Sequence, residues 1–162
     1  MIDSTKLFSE DYDKFHNEVI DSYRTMSNGI NGDIAEWTPT ISGGTTVGAG
    51  TYASTTYGLW FRQGLVADVW FNVTWTAHTG TGVMKLNLPF ESMLCKQDIF
   101  VGELQVSGVT FSAGYSYATI CANNNTYTAN INECGSNNTM QPLDIINGSV
   151  SLVGHIRYIS KE

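Results

Sequence analysis

From Leu65 to Ala77 every second residue is apolar (Leu65, Ala67, Val69, Phe71, Val73, Trp75, Ala77), and Asp68, Asn72, Thr74, Thr76 and His78 hold most of the alternate places. Successive side chains of a β-strand point to opposite faces, so this period of two is that of a long strand with one face buried. Gly80-Thr81-Gly82 breaks the pattern. Met84, Leu86 and Leu88 then alternate with Lys85 and Asn87 until Pro89 stops the run. The spacing predicts a β-hairpin whose inner face carries the chain's richest cluster of large apolar side chains.

The flanking sequence repeats the theme in shorter pieces. Strands are predicted over 38–42, 51–56, 59–63, 99–107, 109–113, 115–122, 126–132 and 145–159, joined by turns rich in Gly, Asn and Thr. Residues 31–36 read as a polar linker and 134–140 as a polar loop. Around Gly102 the in/out phase shifts, as at a bulge. The segment 43–50, GGTTVGAG, lacks a Gly-Lys-Ser/Thr ending and opens no helix, so it is a turn and not a phosphate loop. The last strand is apolar on both faces, which predicts a central place in its sheet or packing of Ile156 and Tyr158 against a neighbouring subunit. Ahead of the strands, Phe8, Tyr12, Phe15, Val19, Tyr23, Met26 and Ile30 recur at helical spacing. They form the seam of a helix over 7–30, which must pack on its own domain or on copies of itself. The expected architecture is one all-β domain, an antiparallel β-sandwich of jelly-roll type over 33–162, behind a helical stalk or assembly segment over 1–32.

Charge sets limits on partners. Only 14% of the 162 residues are charged, against roughly a quarter in an average soluble domain. Residues 1–36 hold eight acids against three bases, a net −5, and the remainder seven against five, a net −2. Clustered Lys and Arg are absent, so neither nucleic acid nor an anionic membrane is an expected partner. No basic start with an apolar run marks a signal peptide, and no apolar stretch approaches the length of a membrane span. Cys95, Cys121 and Cys134 lack metal-site spacing. Cys121 and Cys134 could meet across a hairpin, but buried free thiols are the expectation for a chain made in the cytosol. The Asn-x-Ser/Thr sequons at Asn72, Asn124, Asn137 and Asn147 follow from an Asn- and Thr-rich composition.

One stretch resembles a known family. Gly58-Leu59-Trp60-Phe61-Arg62-Gln63-Gly64, then the long strand, then Gly80-Thr81-Gly82 and Leu86-Asn87-Leu88-Pro89-Phe90 is similar to a pattern of phage tail-fibre heads (G-x-W/Y-x-R-x-G, strand, G-T-G, L-P-F). Similar modules occur in fibre-like proteins of other large DNA viruses and of virophages. The resemblance covers about residues 37–110. It implies a jelly-roll head like those of tumour-necrosis-factor and C1q proteins, which trimerises below a stalk. It carries over no catalytic residue, and fold analogy does not fix function.

Chemistry is sparse. His16, His78 and His155 show no ligand spacing and read as surface or interface histidines, so no metal or other cofactor is expected. There is no Gly-x-Ser-x-Gly elbow, and Cys95 has no partner beyond Lys96. Asp68 could pair with a second acid such as Glu103 for glycoside hydrolysis, but an outward, solvent-facing carboxylate is the simpler reading. Asn and Tyr at the turn Asn123, Asn124, Asn125, Tyr127 and at Asn137 suit carbohydrate, though turns select Asn regardless of function. The expectation is a virion-associated, non-enzymatic homotrimer that attaches to a host or partner-virus surface by binding glycan. Phe8, Tyr12, Phe15, Val19, Tyr23, Ile156 and Tyr158 are its expected interface. The alternatives are a structural capsid or decoration protein that contacts other virion proteins, and, more remotely, a glycan-processing enzyme.

Overall fold

The structure, a computed structural model, describes residues 32–94, 101–136 and 138–161. The expected helix over 7–30, Cys95 and Asn137 lie outside the described residues. The described chain is all β: β1 (Asp33–Trp37), β2 (Ile41–Gly43), β3 (Gly50–Tyr52), β4 (Tyr57–Gln63), β5 (Val66–His78), β6 (Met84–Asn87), β7 (Val101–Ser107), β8 (Tyr117–Ala122), β9 (Thr128–Gly135), β10 (Asn138–Pro142) and β11 (Val150–Ile159). They form one antiparallel sheet in the order β1-β4-β5-β11-β7-β8-β9-β6-β2, with β3 on β5 and β10 on β9. The expected sandwich of two sheets is therefore a single sheet, curled into a half-barrel. β5 and β6 follow one another in the chain yet stand five places apart in the sheet, so their connection crosses from one arm of the curl to the other.

The curl is what buries the predicted face. Val69, Phe71, Val73 and Trp75 of β5 meet Leu152, Ile156 and Tyr158 of β11, Ile120 and Ile131 of β8 and β9, and Met84 and Leu86 of β6 in one core. Two tyrosines clamp the curl in the same way. Tyr52 Oη accepts from Ile41 N at 2.8 Å and donates to Ile41 O at 3.1 Å. Tyr158 Oη accepts from Phe90 N at 3.3 Å and donates to Phe90 O at 3.1 Å. Burial raises the pKa of both phenols, because a phenolate would lose its water, and this outweighs the opposing hydrogen bonds to Ile41 and Phe90 and, at Tyr158, the charge of Arg62.

The fibre-like motif has a packing explanation. Gly58 leaves room for the indole of Trp37, since a Cβ there would collide with it. Trp60 packs edge-on against Phe90, with ring centroids 4.8 Å apart. The Arg62 guanidinium carbon lies over the same ring, 5.0 Å from its centroid, and Arg62 donates to Gly64 O and Lys161 O. Gly64 takes the left-handed φ of +59° that the β4–β5 turn requires. The residues of G-x-W-x-R-x-G and the Phe of L-P-F thus converge on one internal joint.

Several expectations need correction. Residues 33–37 are not linker but β1, paired with β4 from Asp33↔Arg62 to Trp37↔Gly58. Residues 109–113 form no strand, and Cys134 belongs to β9, not to a loop. From Val101 to Ser107 exposure alternates without a phase shift. Gly102 keeps the inner place in that row, where a Cβ would meet His155 O and Ile120. His78 is fully buried, not on the surface. The register of β3 against β5 slips between Thr51↔Ala77 and Tyr52↔Trp75, and this bulge turns His78 to the inner side. There its Nδ1 accepts from Gly80 N at 2.9 Å, so Nε2 carries the hydrogen and donates to Ile41 O at 3.0 Å. Cys134 is a buried free thiol. The β8–β9 register sets it opposite Tyr117, and Cys121 opposite Asn130, four residues away.

Candidate functional site

The convex face of the central strands collects the side chains that the core does not use. Register places Tyr57, Asn72 and Val153 in one cross-strand row and Leu59, Trp70 and His155 in the next. β7 extends these rows with Gln105 beside Val153 and Glu103 beside His155. Trp70 stands between Asp68 and Asn72 in the mostly polar outer row of β5, which Val66 opens, and is 42% exposed. An aromatic residue on the polar face of a half-buried strand was the signal in the sequence for this site. Trp70, Val153 and His155 on one bank and Glu103 and Gln105 on the other line an open groove of about 440 Å³, floored by Gly154 and Leu104.

The groove's geometry is fixed from beneath. Trp70 stacks on His155, with centroids 4.9 Å apart and planes 26° from parallel. His155 Nε2 lies 3.0 Å from Asp68 Oδ1, so that nitrogen donates to the carboxylate. Arg157 donates from Nε to Asp68 Oδ1 and from Nη2 to Oδ2, both at 2.8 Å, in the bidentate fork of a strong ion pair. Asp68 points outward as expected but does not face solvent, being only 4% exposed beneath these partners. The hydrogen bonds from Arg157 hold its carboxyl below the usual carboxylate range, against the opposing effect of burial, and His155 adds to them. The arrangement is a fixed aromatic platform on a charge-balanced base. Glu103, exposed at the rim, makes no ion pair among the described residues.

A second, more polar cleft lies at one end of the curl, between residues 110–112 and 141–146. Glu133 closes it, 2% exposed, accepting from Ser112 N at 2.9 Å and from Gln141 Nε2. These donors, Ser112 first, lower its pKa. The carboxylate ties the loop at Ser112 and strand β10 to β9.

The residues singled out in the sequence are placed as follows. Asn123 turns its amide inward, donating to Thr128 Oγ1 at 2.9 Å and to Asn130 Oδ1 at 2.8 Å. Asn125 takes the left-handed φ of +60° at the tip of the β8–β9 turn. Tyr127 is exposed there, and Asn124 lies between. These residues form one turn, separate from the groove. Ile156 and Tyr158, expected at a subunit interface, are fully buried in the chain's own core and present nothing to a second copy. β11 does take the expected central place, between β5 and β7, with its inner row buried and its outer row of Ser151, Val153, His155 and Arg157 on the convex face. Phe8, Tyr12, Phe15, Val19, Tyr23 and Asn137 fall outside the described residues.

No protein-family profile matches the chain, and no curated protein matches it in sequence. Among solved structures, the crystal structure of Dettilon tailspike protein (gp208) is similar, with a TM-score of 0.60 over 80% of this chain at 14% identity. The match takes in 24% of the tailspike chain, so this chain corresponds to about a quarter of that protein's length. At this identity the likeness is one of fold: the chain shares its architecture with part of a tailspike protein.

Proposed function

We propose that this chain is a virion-associated attachment head of the fibre or tailspike kind, working as a homotrimer and binding glycan through its convex groove. The observation that carries the reading is Trp70, a large aromatic residue held half-exposed by a stack on His155 with hydrogen-bonding Glu103 and Gln105 opposite. Aromatic faces bind the C–H faces of sugar rings, while carboxylates and amides take up the hydroxyls. The fold shared with part of a tailspike protein supports the setting. In this reading the curled sheet is a jelly-roll-like head, and residues 1–32 form its assembly segment. The Asn123–Asn125 turn with Tyr127, and Asn137, would extend the glycan surface at the tip. The function in this reading is binding without turnover, since Asp68 is committed to Arg157 and His155 and, among the described residues, is set opposite Arg157 and not a second acid.

The test joins mass and binding. Light scattering on the full chain is expected to give three copies, and a glycan array is expected to yield ligands that Trp70→Ala loses. A monomer at micromolar concentration overturns the trimer, and an array with no ligand overturns the glycan reading. One observation favours a second reading, a structural virion component that packs another protein here: Tyr57, Trp70 and Val153 leave an apolar stripe across three adjacent strands. Trp70→Ala would then change the assembly mass and leave the array unchanged.

A further inference from the structure

The charge around the groove narrows the class of glycan it takes, an inference that rests on the reading of the groove as a glycan site. Among the described residues Arg157 is the one permanent cation there, and both oxygens of Asp68 face it at 2.8 Å. Its charge is therefore answered within the protein before any ligand arrives. His155 gives its Nε2 hydrogen to the same carboxylate. No lysine lies on the rows Tyr57–Asn72–Val153–Gln105 or Leu59–Trp70–His155–Glu103. The charges left over are acidic: Glu103 at the groove's rim, and Glu36, which the β1–β4 register sets beside Leu59 at the far end of the same row. The whole chain adds a formal charge of −7.

We infer that the groove binds neutral or amino-bearing saccharides, stacked on Trp70 and held through their hydroxyl or ammonium groups by Glu103 and Gln105. It discriminates against sialic and uronic acids. Among the described residues a ligand carboxylate would meet Glu103 and no uncommitted cation, and in a site so open to water the repulsion is modest but additive with lost hydrogen bonds. Gln105 supplies both donor and acceptor and so serves neutral hydroxyls.

The experiment is a tryptophan-fluorescence titration of the full chain with four probes: maltotriose, the trimers of N-acetylglucosamine and of glucosamine, and 3′-sialyllactose. The expected result is binding of at least one neutral or amino trimer, with the sialylated probe weaker by roughly tenfold. Trp70→Ala should weaken the bound trimer by about two- to twelvefold. Glu103→Gln should shrink the gap between neutral and sialylated probes and abolish any salt-sensitive preference for the glucosamine trimer. Saturation-transfer NMR on Gln105→Ala gives a second readout at a position outside the Trp70 stack. If 3′-sialyllactose binds as well as the neutral probes and still depends on Trp70, the charge inference fails and the groove reading stands. If Trp70→Ala, folded by circular dichroism, binds like the parent, or if no probe binds the parent, the groove reading itself fails.

Discussion

Removing one oxygen, in Tyr158→Phe, tests how the curl is held. The hydroxyl is the partner of both Phe90 N and Phe90 O, and Tyr158 has no exposed surface. Stranding a buried backbone group costs about 1–3 kcal/mol. Phe90 is half-buried, so water recovers part of that loss, and about 2 kcal/mol in total is expected at neutral pH. The pH dependence sharpens the test. Burial raises the folded-state pKa of Tyr158, whereas an unfolded tyrosine titrates near pH ~10. Below that pH both states keep the proton and the advantage of the parent over the variant is constant. Above it the unfolded parent ionises and the folded parent does not, so stability falls by up to about 1.4 kcal/mol per pH unit, a loss the phenylalanine variant escapes. The difference should therefore be flat from pH ~7 to ~9.5 and vanish near pH ~11.5. Urea unfolding of both proteins, followed by tryptophan fluorescence across that range, measures it. A difference under about 0.5 kcal/mol at neutral pH would mean that water replaces the hydroxyl. One that persists unchanged at pH ~11 would mean that the folded phenol ionises as readily as the unfolded one.

Tyr52→Phe should cost less than the removal of His78, about 1–2 kcal/mol, because Ile41 O keeps its bond from His78 and only Ile41 N is stranded. His78→Leu strands both Ile41 O and Gly80 N unless Tyr52 compensates, so a double-mutant cycle with Tyr52→Phe should show coupling above about 0.5 kcal/mol. Asp68 has a lowered folded-state pKa, so its contribution is present above the usual carboxylate pKa and is lost as pH falls through the folded value. Asp68→Asn should therefore flatten the acid limb of stability below pH ~4 while lowering stability at neutral pH by about 2 kcal/mol, read from thermal unfolding at stepped pH. Gly102→Ala forces a methyl against His155 O and the Ile120 side chain. A loss of about 1–3 kcal/mol is expected by chemical denaturation.

Local pattern and pairwise geometry account for what could and could not be read from the sequence. The inner row Ala67–Trp75 was legible because a strand's period is fixed by the backbone. The turn at Gly64 was legible for the same local reason. The sheet order was not, since it depends on which edges meet across the curl, and the sequence holds no local mark of that pairing. His78 defeated the alternation through a bulge that sets an extra residue of β5, Thr76, between Thr51↔Ala77 and Tyr52↔Trp75, a slip that shows only in the pairing with β3. β1 was missed because Asp33, Ile34 and Glu36 lie on an exposed edge strand, where alternation leaves no apolar face to read. At the site, Asn123 has the right chemistry for a ligand but uses it on Thr128 and Asn130, a neighbourhood only the hairpin register reveals. Trp70 was visible as an exception to its row. The Asp68–Arg157–His155 base was not, because those residues lie 87 and 89 positions apart.

The convergence of Trp60, Arg62 and Tyr158 on Phe90 has a consequence for how such a module can diversify. Every residue of that joint faces inward, and none of them touches the convex groove. Two strands thus carry two independent messages, one on each side of the same backbone. Drift on the outer rows of β5, β7 and β11 can change the chemistry of the convex face without disturbing the motif by which the module folds. A chain of this kind can keep its architecture while its outer surface is rewritten.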